Sequence, residues 1–411
     1  MNVAYLTPYL PWPADTGGKL RSFYLIQGLA KEAQVDLYVP SYVAHTDLGP
    51  LADLCRVVHV ERMVWAAPSQ PAWLRLFTEQ TPRAVEHFQT PGSLSAIRSK
   101  LQQQSQSQSH AYDLLVCDEI NMAPYVLDLP GVANIPKVIM RQKIDYLHYT
   151  EMADSRPWSQ QKLFDRFEAR RLRAYEYATM PRFDGAVVCS MADGEVARDE
   201  SGGIPTAVIV NGADTDYFRP ERNPDSRPTL ILLGTMNYQP NIDAVQYYFA
   251  EMHATILAAI PDLQVLIVGH RPPPEIESLG GLPGITVTGS VPDVRPYLSR
   301  SWIMAVPLRL GGGTRLKIIE AMAAKLPVVS TSVGAQGLDT VHGQHIFLAD
   351  DPLAFTRHCI DLLQNPTQGE AVAERAYAHI RAGYSWQQLG QKFADFCAQI
   401  AKISEGTHTD G

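Results

Sequence analysis

The chain has 411 residues, a net charge of −8, 45% hydrophobic and 19% charged residues. This length exceeds one ordinary core, so we expect two domains, and the composition is typical of a globular protein rather than a disordered one. The negative charge argues against nucleic acid as a partner. The five cysteines are scattered without a C-x-x-C pair, which indicates a reducing compartment rather than a disulfide framework.

The N-terminal segment MNVAYLTPYLPWP is a short apolar strand broken by prolines. It lacks the basic start and the longer apolar core of a signal peptide. No stretch reaches the roughly 18 apolar residues that a membrane span needs. We therefore expect a cytoplasmic protein, and the sequence leaves a peripheral contact with the inner face of a membrane open.

From the start of the chain, short apolar runs alternate with helical patterns, as in βαβ units with a parallel sheet. Strands are predicted at 3–8, 35–40, 56–61, 113–119, 137–140, 185–190 and 207–214. Helices are predicted at 18–33, 92–104 and 157–180.

The Pro- and charge-rich stretch 218–228 then reads as a linker, after which the alternating pattern restarts. Strands are predicted at 229–235, 263–269, 285–290, 302–307 and 327–331, with a helix at 241–259. The fold class is therefore α/β, with two doubly wound parallel-sheet units. Ligands of such folds bind at the carboxyl ends of the strands, and between two facing units they would occupy the cleft.

The stretch AVPLRLGGGTRLKIIEAM (305–322) places three glycines between an apolar strand and a strong helix former. Glycine lets the backbone turn tightly and approach a ligand, and the first N–H groups of a helix attract anions. Arg315 and Lys317 add full charges, so phosphate or diphosphate is the predicted anion. A plain strand-to-helix turn with solvated basic residues is the alternative. Neither G-x-x-x-x-G-K-[ST] nor G-x-G-x-x-G is present, which excludes the usual ATPase and NAD loops.

Glu320 lies inside the predicted helix but near its start. A carboxylate at this place can accept hydrogen bonds from the two vicinal hydroxyls of a ribose whose diphosphate occupies the turn. The alternative is an ordinary solvent-facing glutamate.

Several segments together resemble the retaining family 4 glycosyltransferases of the GT-B fold. The most specific is PLRLGGGTRLKIIEAMAAKLPVVSTSVGAQGL, which resembles the donor-binding segment of that family. The other matching segments follow in the family's order: TPYLPWPADTGGKLRSFYLIQGLAK, CSMADGEVARD, VIVNGADTDYF, LLGTMNYQPNIDAV, VTGSVPDVRPYL and YSWQQLGQKFADF. The resemblance covers nearly the whole chain.

The resemblance implies two facing Rossmann-like domains. The first would be the acceptor-side domain, 1–220, and the second the donor-binding domain, 221–382, with a closing helix at about 383–402 that packs back on the first. It also implies a hexosyltransferase that moves a sugar from a nucleotide-sugar donor to an acceptor hydroxyl with retention of configuration. UDP- and GDP-sugars are the expected donors, without a metal ion or another cofactor. The process would be polysaccharide, glycolipid or glycoconjugate biosynthesis.

Carried over by position, the family's donor site falls on two parts of this sequence. In the second domain the implied donor-binding residues are Gly234, Asn237, Val291, Tyr297, Arg309, Gly311, Gly312, Gly313, Thr314, Leu316 and Glu320, with Arg315 and Lys317 acting on the leaving phosphate. In the first domain Gly17 and Gly18 would approach the phosphate or the sugar.

Three departures from the family pattern affect the expected site. The first of the family's two glutamates, eight positions before Glu320, is replaced by Gly312, so recognition of the sugar must use other groups. The arginine and lysine that usually clamp the diphosphate from the second domain's first loop are absent, and GTMNYQPN offers Asn237 and Asn241 instead. The family's histidine in the first domain is replaced by Gln142 or Lys143.

Candidates for the acceptor side are Glu119, Arg141 and Asp145, which follow or end predicted strands. The sequence does not choose between them, and a structural role for Glu119 is equally compatible with its position. His148 is expected on the following helix. The segment 162–182 interleaves arginines with aromatic residues, as in an amphipathic helix with solvated arginines or a helix at a membrane surface.

Two rival interpretations follow from the missing family residues. One is a GT-B protein that binds a nucleotide sugar without catalysis, and the other is a sugar-nucleotide epimerase, which shares the two-domain fold. The acceptor, whether a lipid-linked sugar, a polysaccharide or a small molecule, is not predicted.

Overall fold

The computed structural model describes residues 1–44, 47–64, 81–106, 111–219, 221–310 and 315–407, with side chains described as far as residue 403. These residues form two compact units. Unit 1 comprises Met1–Val210 and Leu389–Gly411, and unit 2 comprises Asn211–Gln388.

Unit 1 is built on a seven-stranded parallel sheet. Its strands are β1 (Asn2–Leu6), β2 (Gln34–Ser41), β3 (Val57–Arg62), β4 (Leu114–Asp118), β5 (Lys137–Arg141), β6 (Gly185–Val188) and β7 (Thr206–Val208). They lie in the order β3-β2-β1-β4-β5-β6-β7. This order reverses direction at β1 and β4, and such a switch point is where open α/β sheets bind ligands.

The described α-helices that begin in unit 1 are Gly17–Leu29, Leu51–Leu54, Arg83–Glu86, Pro91–Ser105, Ala123–Val126, Asp145–Ser155, Gln160–Thr179 and Met191–Ser201. The short 3₁₀ turns are Ile120–Met122 and Met180–Arg182. All five residues of β4 are buried, as expected for a central parallel strand covered by helices on both faces. The main core of the unit lies where these helices pack on the sheet, around Leu115, Cys117 and Ile139.

Unit 2 is built on a six-stranded parallel sheet in the order β10-β9-β8-β11-β12-β13. Its strands are β8 (Thr229–Leu233), β9 (Gln264–Val268), β10 (Ile285–Gly289), β11 (Ile303–Val306), β12 (Val328–Ser330) and β13 (Phe347–Leu348). The order reverses between β8 and β11, so the second switch point lies at the carboxyl ends of these two strands.

The described helices that begin in unit 2 are Gln239–Glu251, His253–Ala259, Pro274–Glu277, Arg295–Arg300, Leu316–Ala323, Pro352–Gln364, Pro366–Gly383 and Trp386–Thr407, with the 3₁₀ turn Ser278–Gly281. A separate hydrophobic core lies around Leu232, Val265 and Phe355. None of the helices in the described part of the chain is long and apolar enough to cross a membrane.

All but the first three residues of the last helix, Trp386–Thr407, belong to unit 1. Gly390 on this helix contacts Gly28 on helix Gly17–Leu29: a Cβ atom built on Gly28 would lie 2.4 Å from the Cα of Gly390. The two glycines therefore let the two helix backbones approach closely.

The predicted fold class, two parallel-sheet α/β units, is confirmed, and most predicted strands agree with the structure to within a few residues. Several elements differ from the prediction. The helix predicted at 241–259 is interrupted at Met252, the strand predicted at 207–214 ends at Val208, and helix Met191–Ser201 and strand β13 were not predicted. Strand β13 has only two residues, too few to show a hydrophobic period.

Candidate functional site

Helix Leu316–Ala323 begins at the carboxyl edge of the unit 2 sheet, after strand β11. Four of the predicted donor residues, Gly311, Gly312, Gly313 and Thr314, lie outside the described residues. Arg315 is the N-cap of the helix and Leu316 its first residue. The helix packs firmly because Ile318, Ile319, Ala321, Met322 and Ala323 are all buried. This packing fixes the opposite face, on which Lys317 and Glu320 are partly exposed.

Lys317 is held by two neutral oxygens. Its Nζ donates to the carbonyl of Leu233, at 2.7 Å, and to Oδ1 of Asn241, also at 2.7 Å. Asn241 in turn donates from Nδ2 to the carbonyl of Thr235, at 2.9 Å. The ammonium is therefore tied to the carboxyl end of β8 and to the first turn of helix Gln239–Glu251.

Gly234 follows β8 at this place and has a φ of +158°, a value that side chains rarely adopt. A Cβ atom at Gly234 would lie 2.8 Å from Nδ2 of Asn241 and 2.9 Å from Nζ of Lys317. A larger residue would displace both groups. The structure thus brings together Gly234, Lys317 and Asn241 beside the start of a helix.

The charges at this site respond to pH near neutrality. Burial lowers the pKa of Lys317 to about 7, and the nearby Arg315 acts in the same direction, whereas Glu320 opposes the shift. Burial raises the pKa of Glu320 to about 7, against the effect of Lys317. Burial also lowers the pKa of Arg315 from its usual value. A bound phosphate would favour the charged forms of Lys317 and Arg315.

The other predicted donor residues of unit 2 lie on separate elements. Asn237 is exposed in the turn after Gly234. Arg309 pairs with Asp243 at 2.6 Å and lies over the ring of Tyr247, so its guanidinium is engaged on helix Gln239–Glu251. Val291 follows β10, and Tyr297 lies in helix Arg295–Arg300; both are partly exposed.

In unit 1, the predicted Gly17 and Gly18 begin helix Gly17–Leu29, which is capped by Thr16. Gln142, at the end of β5, donates from Nε2 to the carbonyl of Gly18 at 3.4 Å and to Oδ1 of Asp118 at 3.2 Å. A Cβ atom on Gly18 would lie 2.7 Å from Oε1 of Gln142. The glycine turn is therefore anchored to the carboxyl ends of β4 and β5.

Glu119 lies directly after β4 with a φ of +80°, which is strained for a residue other than glycine. Among the described residues its buried Oε2 has no hydrogen-bond partner. Burial raises the pKa of Glu119 well above its usual value, and the nearby Asp145 and Asp118 add to this effect. Asp145 begins the helix Asp145–Ser155 and lies 3.4 Å from the ammonium of Lys143.

Arg141 is placed differently from the other two acceptor-side candidates. It is fully buried at the end of β5, with Glu176 at 2.7 Å and Glu200 at 3.0 Å. These contacts tie the sheet to helices Gln160–Thr179 and Met191–Ser201. The placement favours a structural ion cluster over contact with a substrate. His148 lies on helix Asp145–Ser155, as expected.

The sequence did not predict the roles of two residues at these sites. Asn241 was predicted as a substitute phosphate ligand, whereas in the structure it accepts a hydrogen bond from Lys317. Asp118 accepts from Ser22, Gln142 and Tyr5, which makes it the centre of the unit 1 network. The only sequence signal for either is a polar residue in an otherwise apolar pattern.

Comparison with known proteins shows which proteins the sequence and the fold resemble. Residues 227–365 match the family described as Glycosyl transferases group 1. The structure resembles sucrose-phosphate synthase from Thermosynechococcus elongatus with a TM-score of 0.69 at 18% identity, over 98% of this chain and 100% of that chain. It resembles Anabaena HepE in complex with UDP with a TM-score of 0.65 at 15% identity, over 97% of this chain and 100% of that chain.

Two curated proteins match in sequence. One is an uncharacterized 44.6 kDa protein in the cps region of Klebsiella pneumoniae, 24% identical over 39% of this chain and 43% of the relative. The other is a GDP-mannose-dependent monoacylated alpha-(1-6)-phosphatidylinositol monomannoside mannosyltransferase from Corynebacterium glutamicum, 26% identical over 46% of this chain and 54% of the relative. The matched region thus spans about half the length of these curated relatives.

The segment 227–365, which contains Lys317 and Glu320, thus matches the glycosyl transferases group 1 family model, and the chain has the fold of the GT-B glycosyltransferase structures. The expected resemblance to glycosyltransferases is confirmed for this segment and for the fold.

Proposed function

We propose that this protein transfers a sugar from a nucleoside diphosphate sugar to an acceptor hydroxyl with retention of anomeric configuration. The observation that carries the proposal is the placement of a cation, Lys317, and a carboxylate, Glu320, one turn apart near the start of a helix, with the cation beside Gly234. A cation and helix N–H groups suit a diphosphate, and a carboxylate one turn further suits the ribose hydroxyls.

In this proposal the diphosphate binds in front of helix Leu316–Ala323, against Arg315, Lys317 and the glycine turn before them. The absence of a Cβ atom at Gly234 lets the ammonium lie against the backbone after β8. Glu320 accepts from the ribose, and Tyr297 and Val291 lie near the base. UDP and GDP are the proposed nucleotides, in line with the UDP bound by HepE and the GDP-mannose named for the mannosyltransferase.

The proposed reaction breaks the bond between the anomeric carbon and the diphosphate oxygen, and the acceptor oxygen bonds to the same carbon on the same face. Negative charge grows on the leaving diphosphate as the bond breaks. The helix N–H groups, Arg315 and Lys317 stabilise that charge more in the transition state than in the bound substrate. The acceptor proton passes to an oxygen of the leaving diphosphate, and no metal ion is invoked.

The acceptor side of the proposed site is formed by residues at the carboxyl edge of the unit 1 sheet. Glu119 has a buried carboxylate oxygen without a partner among the described residues, and Asp145 and the exposed Tyr9 are near it. The raised pKa favours the protonated form of Glu119, and in that form the carboxyl group would orient an acceptor hydroxyl by donating to it.

A glycan or glycolipid precursor is the proposed acceptor, at the cytoplasmic face of a membrane. Helix Gln160–Thr179 supports this location because its acids Asp165, Glu168 and Glu176 are buried whereas its arginines Arg166, Arg170 and Arg173 are exposed. Trp158, 76% exposed, precedes the helix. Vesicles that contain anionic lipid should retain more of the wild type than of Arg170→Glu. If neutral vesicles retained as much wild type as anionic vesicles, the proposed membrane contact would be contradicted.

Thermal stability against UDP, GDP, ADP and their common sugar conjugates tests the proposed function. A nucleotide at about 100 times its dissociation constant should stabilise the wild type by roughly 2.7 kcal/mol. Glu320→Ala should lose most of that shift, and the matched control Glu275→Ala, an exposed glutamate of the same unit, should keep it. The absence of any shift would leave the family membership without a donor site.

Product analysis separates the rival functions. A nucleotide sugar that binds without turnover, with every acceptor class tried, would favour the non-catalytic binder. Conversion of one nucleotide sugar into an epimer without release of nucleotide would favour the epimerase. Release of nucleoside diphosphate that depends on an acceptor supports the transferase.

A further inference from the structure

Asn241 is a buried amide, 8% exposed, in the first turn of helix Gln239–Glu251. Its orientation is fixed because Nδ2 donates to the carbonyl of Thr235 at 2.9 Å. The amide oxygen must then face the other way, where it accepts from Nζ of Lys317 at 2.7 Å. An amide in this place supplies an oxygen without a negative charge.

The Lys317 ammonium has three N–H donors, and the carbonyl of Leu233 and Oδ1 of Asn241 take two of them. One donor remains for a ligand. The charged groups that act on the ammonium are Arg315 and Glu320 of its own helix. On the helix that carries Asn241, the acid Asp243 is paired with Arg309.

Both hydrogen-bond partners of the ammonium are therefore neutral. The ammonium also lies close to the backbone of Gly234, where a Cβ atom would be 2.9 Å from Nζ. A partly buried cation whose hydrogen-bond partners are both neutral is less stable than one with a carboxylate partner, so a carboxylate in the place of Asn241 would stabilise it better. An ammonium that already had a carboxylate partner would gain less from a bound phosphate.

We propose that Asn241 is a positioning residue of the donor site, which holds the Lys317 ammonium through a neutral oxygen so that the ammonium gains an anionic hydrogen-bond partner only when the diphosphate binds. The inference rests on the proposed function and deepens it, because it makes donor binding depend on proton uptake at one lysine.

The pH dependence of nucleotide binding follows from the protonation of Lys317. Its pKa in the free protein is about 7, so the side chain loses its proton as the pH rises through this value. A diphosphate next to the amine raises the pKa, so nucleotide binding above pH 7 takes up one proton. The nucleotide affinity should then fall roughly tenfold per pH unit between pH 8 and 9, where Glu320 is already ionised.

Calorimetric titration of the whole chain with UDP, GDP and ADP at pH 8 and 9, in two buffers of different ionisation enthalpy, measures both the affinity and the protons taken up. The wild type should take up close to one proton. Asn241→Asp places a carboxylate beside the amine and keeps it protonated, so the uptake should vanish and the affinity should become nearly independent of pH. Asn241→Ala should bind more weakly and retain the pH dependence.

Asn365→Asp is the matched control, since it makes the same change at an exposed position of the same unit and should behave as the wild type. Wild-type binding without proton uptake would overturn the inference, as would an unchanged uptake in Asn241→Asp. If Asn241→Asp does not fold, proton uptake by the wild type and the affinity of Asn241→Ala still test the inference. If none of the three nucleotides binds, the proposed function fails and the inference fails with it.

Discussion

Individual side chains at the candidate donor site are balanced between two charge states. Lys317 and Glu320 lie one turn apart, and burial moves the pKa of each to about 7 from opposite directions. Such opposed shifts are typical of functional sites, because a group that titrates near neutral pH can change its charge when a ligand arrives. An exposed lysine and glutamate on a helix surface would keep pKa values close to their usual ones.

Removal of the charges that face the leaving phosphate should slow turnover. Arg315→Ala and Lys317→Ala should each lower kcat by roughly 10² to 10³ at saturating donor, because each would remove stabilisation of the growing negative charge. Arg357→Ala, an exposed arginine of unit 2, serves as the control. Steady-state release of nucleotide measures the effect, and unchanged turnover in both variants would contradict the electrostatic mechanism.

Arg141 should affect stability more than chemistry. Arg141→Met leaves Glu176 and Glu200 buried without their cation and should cost about 3–5 kcal/mol of unfolding free energy. The exposed pair of Arg166 with Asp154 provides the control, and Arg166→Met should cost about 1 kcal/mol or less. Urea unfolding distinguishes these outcomes.

The loss in Arg141→Met should grow with pH. Burial raises the pKa of Glu176 to about 7 in the folded protein, above its usual value. A carboxyl group with a raised folded pKa favours the folded state at low pH, and this contribution disappears as the pH rises through the folded pKa. The destabilisation measured at pH 8 should therefore exceed that at pH 5. An equal loss at both pH values would argue that the two carboxylates do not remain buried.

At the scale of elements, the packing of helix Gly17–Leu29 on the last helix depends on two glycines. Gly28→Ala would force a Cβ against the backbone of Gly390 and should cost about 1–3 kcal/mol by overpacking. Gly92→Ala is the matched control, because a Cβ there would meet no atom within 4 Å. Thermal unfolding compares the two variants, and equal melting temperatures would show that the helices can move apart without cost.

At the scale of the whole molecule, the chain folds into two units with separate cores. The chain passes from unit 1 to unit 2 at Val210–Asn211 and returns at Gln388–Leu389, whereas the predicted linker 218–228 falls within unit 2. The two crossings are the proposed hinge points for a closing motion on donor binding. Small-angle scattering with saturating UDP should show a smaller radius of gyration than without it. Identical dimensions would argue against closure.

The sequence by itself determined the class of fold and the position of helix Leu316–Ala323. Apolar runs such as 229–235 and the helix former after residue 314 match the structure because each element buries one continuous apolar face. The role predicted for Glu320 on this helix stays a prediction.

Only the tertiary structure decided which distant polar side chains contact each other. Lys317 and Asn241 are 76 positions apart in the chain, and only the adjacency of β8 and β11 brings them together. Arg141 ends a strand as a site residue would, yet helices Gln160–Thr179 and Met191–Ser201 supply the two glutamates that enclose it. Such pairings depend on packing between distant elements, which local sequence patterns do not encode.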